Sequence, residues 1–273
     1  MNGTLYVVAT PIGNIRDITL RAIDVLKNTD LIACEDTRHT QTLLDEYSIG
    51  TSTTSYHKFN IRQKTKFLID QLLSGMNIAL VSDAGTPGIS DPGEELIRAA
   101  IGSCIKIEII PGASAVVSAL SISGLVTSKF VFEGFLPSKR TERRAALRSI
   151  STEKRTIIFY EAPHRIIESL KDMKDILGER EISVSRELTK KFEETVRGKI
   201  SDAVNKFEAK PPKGEFVLVV GGAKAQEKKS ITGAEKLVND LISAGLSRST
   251  AAKIAAKHSG VGKNTLYKGS LDV

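Results

Sequence analysis

Side chains that can move a proton or hold an anion are concentrated in two short segments. Residues 34–38 read CEDTR and residues 159–165 read FYEAPHR. A positioned carboxylate can act as a general base, and the fork of an arginine side chain can hold a phosphate. The candidate catalytic carboxylates are Glu35, Asp36 and Glu161, and the candidate anion ligands are Arg38, His164 and Arg165.

Each segment also has a purely structural interpretation. Asp36 and Arg38 could form an internal ion pair that fixes the end of a strand. His164 and Arg165 could mark the start of a helix that carries ordinary surface charge. Both interpretations stay open at the level of the sequence.

Three loops rich in Gly and Pro follow predicted strands in the first half of the chain. They read ATPIGN (9–14), SDAGTPGISDPG (82–93) and PGASAVVSA (111–119). Loops at the carboxyl ends of parallel strands converge at the ligand crevice of an α/β sheet, and glycine lets backbone groups approach a ligand closely. One such loop alone is as often an ordinary turn. Three in one half of the chain favour a shared binding site.

Several common kinds of site are missing from the sequence. It contains no G-x-G-x-x-G, no Walker lysine loop and no H-E-x-x-H, which argues against dinucleotide oxidoreductases, P-loop NTPases and zincins. Cys34 and Cys104 are its two cysteines, so we expect neither a disulfide nor a metal site, and we expect both to be inert buried thiols. Without a long apolar run or a signal-peptide pattern, we expect a cytoplasmic protein with no membrane partner.

The elements that must position these residues follow an α/β pattern in residues 1–112. Short runs rich in β-branched residues alternate with helical periodicity, which predicts a first α/β domain with a parallel sheet. The predicted strands are 4–10, 30–35, 77–82 and 106–110, and the predicted helices lie near 20–28, 62–74 and 93–101.

Residues 113–222 predict a second, mixed α/β domain. A small apolar helix at 113–122 leads into it, and several later strands follow one another without an intervening helix, which is typical of a mixed sheet. The predicted strands are 130–136, 155–160, 181–187, 193–200 and 215–221, and the predicted helices are 138–149 and 164–177.

The remaining residues, 223–273, predict a basic helical tail. Its two predicted helices resemble a helix-turn-helix module, although a hairpin packed on the body fits equally well. The chain has a net charge of +7, with +5 in residues 137–155 and +5 in the tail. This distribution favours a polyanionic partner, and solvated helix faces are the alternative. Lys253 and Lys257 are four residues apart and share a helix face, so we take them as candidate substrate-binding residues.

Five segments in a characteristic order resemble the tetrapyrrole-methylase superfamily. They are ATPIGNIRDIT, CEDTR, SDAGTPGISDPG, IPGASA and FYEAPHR. The chain is most similar to the ribosomal-RNA 2′-O-methyltransferase I branch, over about residues 1–222. Precorrin and uroporphyrinogen methylases instead have a G-x-G near the start and S-G-D-P in the central loop. In those places this chain has Ala-Thr-Pro at residues 9–11 and Ala-Gly-Thr-Pro at residues 84–87.

The resemblance implies two α/β domains with S-adenosylmethionine in the cleft between them. It also implies 2′-O-methylation of a cytidine ribose in small-subunit (16S) ribosomal RNA, free or in the assembled subunit, by a homodimer. A tetrapyrrole methyltransferase and a non-enzymatic RNA-binding adaptor are the alternatives. The implied cofactor contacts are Pro11, Ile12, Asp83, Ala84, Gly85, Thr86, Pro87, Ile89, Ser114, Ala115, Tyr160 and Glu161.

Overall fold

The computed structural model describes residues 2–209, 213–223 and 231–269. Residues 1–222 form one compact unit, and residues 223–273 form a second. The predicted α/β class is confirmed, because the first unit holds two five-stranded sheets with helices packed on them. None of the helices in the described ranges has the length and apolar content needed to span a bilayer.

The first sheet is parallel throughout, with the strand order β3-β2-β4-β1-β5. Its strands are β1 (Thr4–Val8), β2 (Leu31–Cys34), β3 (Thr53–Ser55), β4 (Ile78–Leu80) and β5 (Lys106–Ile110). The connecting helices are α1 (Leu20–Asn28), α2 (Thr37–Glu46), α3 (Ile61–Leu73) and α4 (Glu94–Gly102). Leu5 packs with α3 and α4 on one face, whereas Val8 packs with α1 and α2 on the other. Burial on both faces explains why these strands read as apolar runs.

The second sheet is mixed, as predicted, with the order β6-β7-β10-β8-β9 and one parallel pair, β6 with β7. Its strands are β6 (Phe130–Phe135), β7 (Thr156–Glu161), β8 (Glu181–Arg186), β9 (Glu194–Lys199) and β10 (Phe216–Val220). The helices of this half are α5 (Ala115–Ile122), α6 (Arg140–Ser149), α7 (Ile166–Leu177) and α8 (Ile200–Ala209). Helix α5 covers one face of the sheet, and the other three helices cover the opposite face.

The second unit is a small helical module with its own core. It consists of α9 (Ile231–Ser243), α10 (Arg248–Ser259) and α11 (Lys263–Gly269). Three alanines of α10 are buried against Val238 and Leu266, because short side chains let the helices pack closely. Lys253 and Lys257 are exposed on α10. The two predicted helices are confirmed, and α11 is an addition.

Elements that the sequence patterns do not indicate include α2, β3 and α8. Asp36 caps α2 by accepting a hydrogen bond from the backbone N–H of Arg38, so a segment interpreted as chemistry is also a helix start. Strand β3 has only three residues, and α8 follows β9 without a break. The expectation of two buried thiols is wrong for Cys104, which is exposed in the turn after α4 with a φ of 52°.

Part of the basic run 137–155 is engaged in contacts between two helices. Arg140, Arg143 and Arg144 on α6 all contact the carboxylate of Asp172 on α7. The nearest distances to Asp172 are 2.7 Å from Arg143 Nη2 and 2.6 Å from Arg144 Nη1, and the Asp172 side chain is only 2% exposed. Burial opposes ionisation, but the hydrogen bonds from the arginines hold the pKa of Asp172 below its ordinary value. The expectation of a polyanion surface is therefore wrong for Arg143 and Arg144, which join α6 to α7, whereas the Arg140 side chain stays mostly exposed.

Candidate active site between the two sheets

The first and second Gly/Pro loops are joined by a short antiparallel bridge. The backbone N–H of Thr10 donates to the oxygen of Gly85 at 2.8 Å, and the N–H of Gly85 donates back at 3.1 Å. The hydroxyl of Thr10 also donates to the oxygen of Ser82 at 3.0 Å. Gly85 has a φ of +79°, in the left-handed region that glycine tolerates best. This bridge places both loops at the carboxyl edge of the first sheet.

The third loop packs against the same two loops. A methyl group built on Gly112 would lie 3.1 Å from the β-carbon of Ala9. The third and first loops therefore approach each other closely at Gly112, which has no side chain. A methyl group built on Gly85 would lie 3.6 Å from Ile12 and 3.9 Å from the oxygen of Ala113. The three loops therefore converge, as the α/β pattern predicts.

A cavity of about 550 Å³ opens beside these loops, within the range of ligand pockets in proteins. Residues of both sheets line it. The sequence-predicted residues among them are Ile12, Glu35, Asp83, Ala84, Gly85, Thr86, Ile89, Ser114, Ala115, Tyr160, Glu161 and His164. Pro11, Asp36, Arg38, Pro87 and Arg165 lie outside this lining.

The CEDTR segment forms the Asp36–Arg38 ion pair of its structural interpretation, but the pair is exposed at the start of α2 and is not internal. The Asp36 carboxylate lies 2.8 Å from the Arg38 guanidinium and also accepts the Arg38 backbone N–H. Hydrogen bonds from Arg38 lower the pKa of Asp36 to about 2, which makes this carboxylate a poor proton acceptor near neutral pH. The backbone N–H of Asp36 donates to Asp83 at 3.1 Å. Asp36 thus connects CEDTR to the central loop.

The FYEAPHR segment is held by Glu161, which is buried at the end of β7. Its carboxylate accepts hydrogen bonds from the Ser169 hydroxyl at 2.5 Å and from the Ala162 backbone N–H at 2.9 Å. Arg165 lies 3.2 Å from the same carboxylate and donates to the backbone oxygen of Leu136. With these partners, Arg165 belongs to the internal packing of β6, β7 and α7. Its neighbour His164 lines the cavity.

A group of three carboxylates lies at the cavity, and sequence reasoning missed one of them. Burial, followed by the charge of Asp83, raises the pKa of Glu35. Burial, followed by the charges of Glu35 and Asp83, raises the pKa of Asp91 to about 6. Asp91 is the second aspartate of SDAGTPGISDPG, and only the fold shows that it lies near the other two carboxylates.

Aromatic rings from the second sheet form part of the opposite wall. Tyr160 packs against Phe132 and Phe135, with ring centroids 5.0 Å and 5.5 Å away. Burial, followed by the charge of Asp91, raises the pKa of Tyr160 to about 12, so its hydroxyl stays protonated. Phe135 lines the cavity and is half exposed. The alternation within β6 indicated a strand, but it did not indicate that Phe135 faces a ligand site.

The family described as Tetrapyrrole (Corrin/Porphyrin) Methylases matches residues 4–204 of the chain. The chain belongs to this family. Curated proteins described as ribosomal RNA small subunit methyltransferase I are similar to this chain over nearly its whole length. The one from Synechocystis sp. is 48% identical over 99% of this chain and 98% of its own. The one from Escherichia coli O157:H7 is 45% identical over 99% and 95%, respectively.

Solved structures support the same fold. A cobalt precorrin-4 methyltransferase superposes with a TM-score of 0.60 and 17% identity, covering 80% of this chain and 94% of its own. A diphthine synthase superposes with a TM-score of 0.62 and 14% identity, covering 80% and 89%. At these identities the likeness establishes the architecture only. The resemblance read from the sequence is confirmed, and the chain is a methyltransferase of this family.

Proposed function

We propose that this methyltransferase transfers a methyl group from S-adenosylmethionine to the 2′-oxygen of a cytidine ribose in small-subunit (16S) ribosomal RNA. The observation that carries the proposal is the identity of 44–48% along nearly the full chain with proteins named ribosomal RNA small subunit methyltransferase I. The cavity adds a ligand-sized volume between two sheets, with backbone on one wall and aromatic rings on another.

The residues at the cavity fit S-adenosylmethionine. Gly85 keeps the loop backbone open, since a side chain there would be strained at its positive φ. Carboxylates of Asp83, Asp91 and Glu35 suit the positive charge of a sulfonium. Ser114 and Ala115 add little bulk at the start of α5. When bound, the cofactor supplies an activated methyl group.

The protein's own contribution to catalysis is alignment and removal of one proton. A ribose hydroxyl is a weak acid, so a base that accepts its proton while the new oxygen–carbon bond forms contributes about 10²–10⁴-fold. Asp91 and Glu35 suit this role, because burial and the charges of neighbouring carboxylates, Asp83 in both cases, raise the pKa of each. Glu161 is fully engaged by hydrogen bonds, so we assign it the positioning of the FYEAPHR segment.

RNA binding draws on basic residues outside the carboxylate group. His164 lines the cavity and is placed to meet the substrate. In the tail, Lys253 and Lys257 are exposed on one face of α10, where ammonium groups can contact phosphates. Ribosomal RNA, free or in the small subunit, is the partner that this charge fits, and we therefore expect the protein to work in the cytoplasm.

The proposed oligomer is a homodimer. Strands β5 and β6 are edge strands of their sheets, and Ile109 and Phe130 on them are exposed. Val117 and Val126, from α5 and the segment that follows it, are exposed as well. Exposed apolar side chains on unpaired edges are suited to cover by a second copy. Sedimentation of an Ile109→Lys, Val126→Lys variant tests this, with a monomer expected.

The decisive experiment maps 2′-O-methylation in ribosomal RNA from cells with and without this gene. Loss of a methyl group from one cytidine of the small-subunit RNA, restored by the intact gene, is the expected result. In vitro, purified protein should methylate small ribosomal subunits or their RNA, and leave uroporphyrinogen and precorrins unchanged. Transfer to a tetrapyrrole would overturn the proposal. S-adenosylmethionine binding would count against the adaptor hypothesis, and RNA binding without any S-adenosylmethionine binding would favour it.

A further inference from the structure

Two loops beside the cavity each hold a phenylalanine out in solvent. The first is residues 57–60, after β3, and the second is residues 187–193, between β8 and β9; together we call them the rim loops. Phe59 is 85% exposed and Phe192 is 68% exposed. A lysine precedes each ring and lies over it, with Lys58 Nζ 5.0 Å and Lys191 Nζ 5.7 Å from the ring centroids.

The first rim loop starts beside the carboxylate group. The backbone N–H of Tyr56 donates to Cys34 at 2.7 Å, so the loop leaves β3 next to Glu35, which lines the cavity. Asn60 closes the loop, because its side-chain oxygen accepts the backbone N–H of His57 at 2.9 Å and its amide donates to the backbone of Ser55. Phe59 lies inside this closed turn and points away from the core.

The second rim loop is fixed in the same manner on the other sheet. The backbone N–H of Thr189 donates to the Glu193 carboxylate at 2.7 Å, and the Thr189 hydroxyl accepts the N–H of Asn14 at 3.0 Å. Glu187 and Thr189 have positive φ values of 52° and 65°, which non-glycine residues adopt only where the surroundings hold them. Lys190 lines the cavity, and Phe192 follows two residues later.

A single exposed phenylalanine is ordinary on a protein surface. Here the same Lys-Phe pair recurs on two loops from different sheets, both fixed by hydrogen bonds and both beside one cavity. Lys58 and Lys191 are both exposed, and the charge of Lys58 is near enough to Glu35 at the cavity to act on its pKa. Each rim loop therefore presents an exposed aromatic ring and an ammonium group, the combination that binds unpaired nucleotides.

We propose that Phe59 and Phe192 stack on unpaired bases of the RNA that flank the nucleotide held in the cavity, while Lys58 and Lys191 contact its phosphates. This inference rests on the proposed function, in which the substrate is RNA. It specifies that the substrate segment is single-stranded at the site, since bases within a duplex have no free face for a side chain.

The test measures binding of a fluorescent single-stranded oligocytidylate, about 12 nucleotides long, and of its duplex with the complementary strand. We expect Phe59→Ala and Phe192→Ala each to weaken binding of the single strand about 10-fold. Phe59→Trp and Phe192→Tyr, which keep an aromatic face, should restore it. S-adenosylmethionine affinity and the circular-dichroism spectrum should not change in any of the four.

Phe67→Ala is the matched control. Phe67 is also exposed and also has a lysine over its ring, with Lys64 Nζ 5.1 Å from the centroid. It lies six residues into α3, about 9 Å further along that helix, away from the edge that carries the cavity. Replacing it should leave RNA binding unchanged.

Three outcomes overturn the inference. The first is a wild-type protein that does not prefer the single strand to the duplex. The second is that the alanine variants bind RNA as tightly as Phe67→Ala does. The third is that the alanine variants lose affinity for assembled subunits but keep it for RNA, which would assign the rings to a contact with protein. The proposed function is judged separately by methyl transfer to small subunits. Normal transfer with unchanged binding in the alanine variants would reject the rim-loop inference alone.

Discussion

Replacing Asp91 with Asn should make the protein more stable and less active. The pKa of Asp91 is raised to about 6 in the folded protein, against about 3.9 for a free aspartate. The folded state thus holds the proton more tightly than the unfolded state, and stability is lost as the pH rises from about 4 through 6. A shift of about two units corresponds to about 3 kcal/mol at full strength. Because Asp91 is half-buried, we expect about 1–2 kcal/mol after solvent screening.

Asparagine has the same shape and no charge, so Asp91→Asn should unfold about 3–6 °C above wild type near pH 7.5. Below about pH 4 the two melting curves should almost coincide, because wild-type Asp91 is then protonated in the folded and in the unfolded state. If Asp91 is a base, turnover should fall about 10²-fold with S-adenosylmethionine still bound. Asp24→Asn, on the exposed side of α1, is the control and should change neither property.

Calorimetric melting at both pH values and single-turnover methyl transfer measure the two effects. A variant that is no more stable than wild type near pH 7.5 would show that repulsion within the carboxylate group is weak. Full turnover in the variant would leave Glu35 as the remaining candidate base. Destabilisation at both pH values would mean that Asp91 accepts hydrogen bonds that asparagine cannot replace.

Three more predictions concern the cofactor loop, the buried arginine group and the tail. Gly85→Ala, which forces a side chain into a positive φ, should weaken S-adenosylmethionine binding measured by calorimetry; unchanged affinity would remove this loop from the site. Asp172→Ala leaves Arg143 buried without its partner and should cost about 3–5 kcal/mol in urea unfolding; a loss below 1 kcal/mol would contradict this. Replacing Lys253 and Lys257 with Gln should reduce the slope of log RNA affinity against log salt by about 1.4–1.8. An unaltered slope would show that these two lysines do not contact RNA phosphates.

The sequence alone determined the layered architecture and the position of the three loops. Apolar residues that alternate with polar ones, or that form a short continuous run, predict strands, and Gly and Pro predict where each strand ends. Strand β5 and helix α5 were predicted to within two residues of their observed ends. Because parallel strands must send their carboxyl ends to one edge, the convergence of the loops at residues 10, 85 and 112 followed from the pattern itself.

The tertiary structure decided which charged residues are available for chemistry. Asp36 and Asp91 are both aspartates in recognisable motifs, yet the pKa of one is lowered to about 2 by Arg38 and the pKa of the other is raised to about 6 by burial and by Glu35 and Asp83. Asp172 likewise holds Arg143 and Arg144 of α6 largely out of solvent, from a position about 30 residues further along the chain. A sequence states the type of each side chain, whereas ionisation and exposure depend on the neighbours that folding brings within a few ångströms.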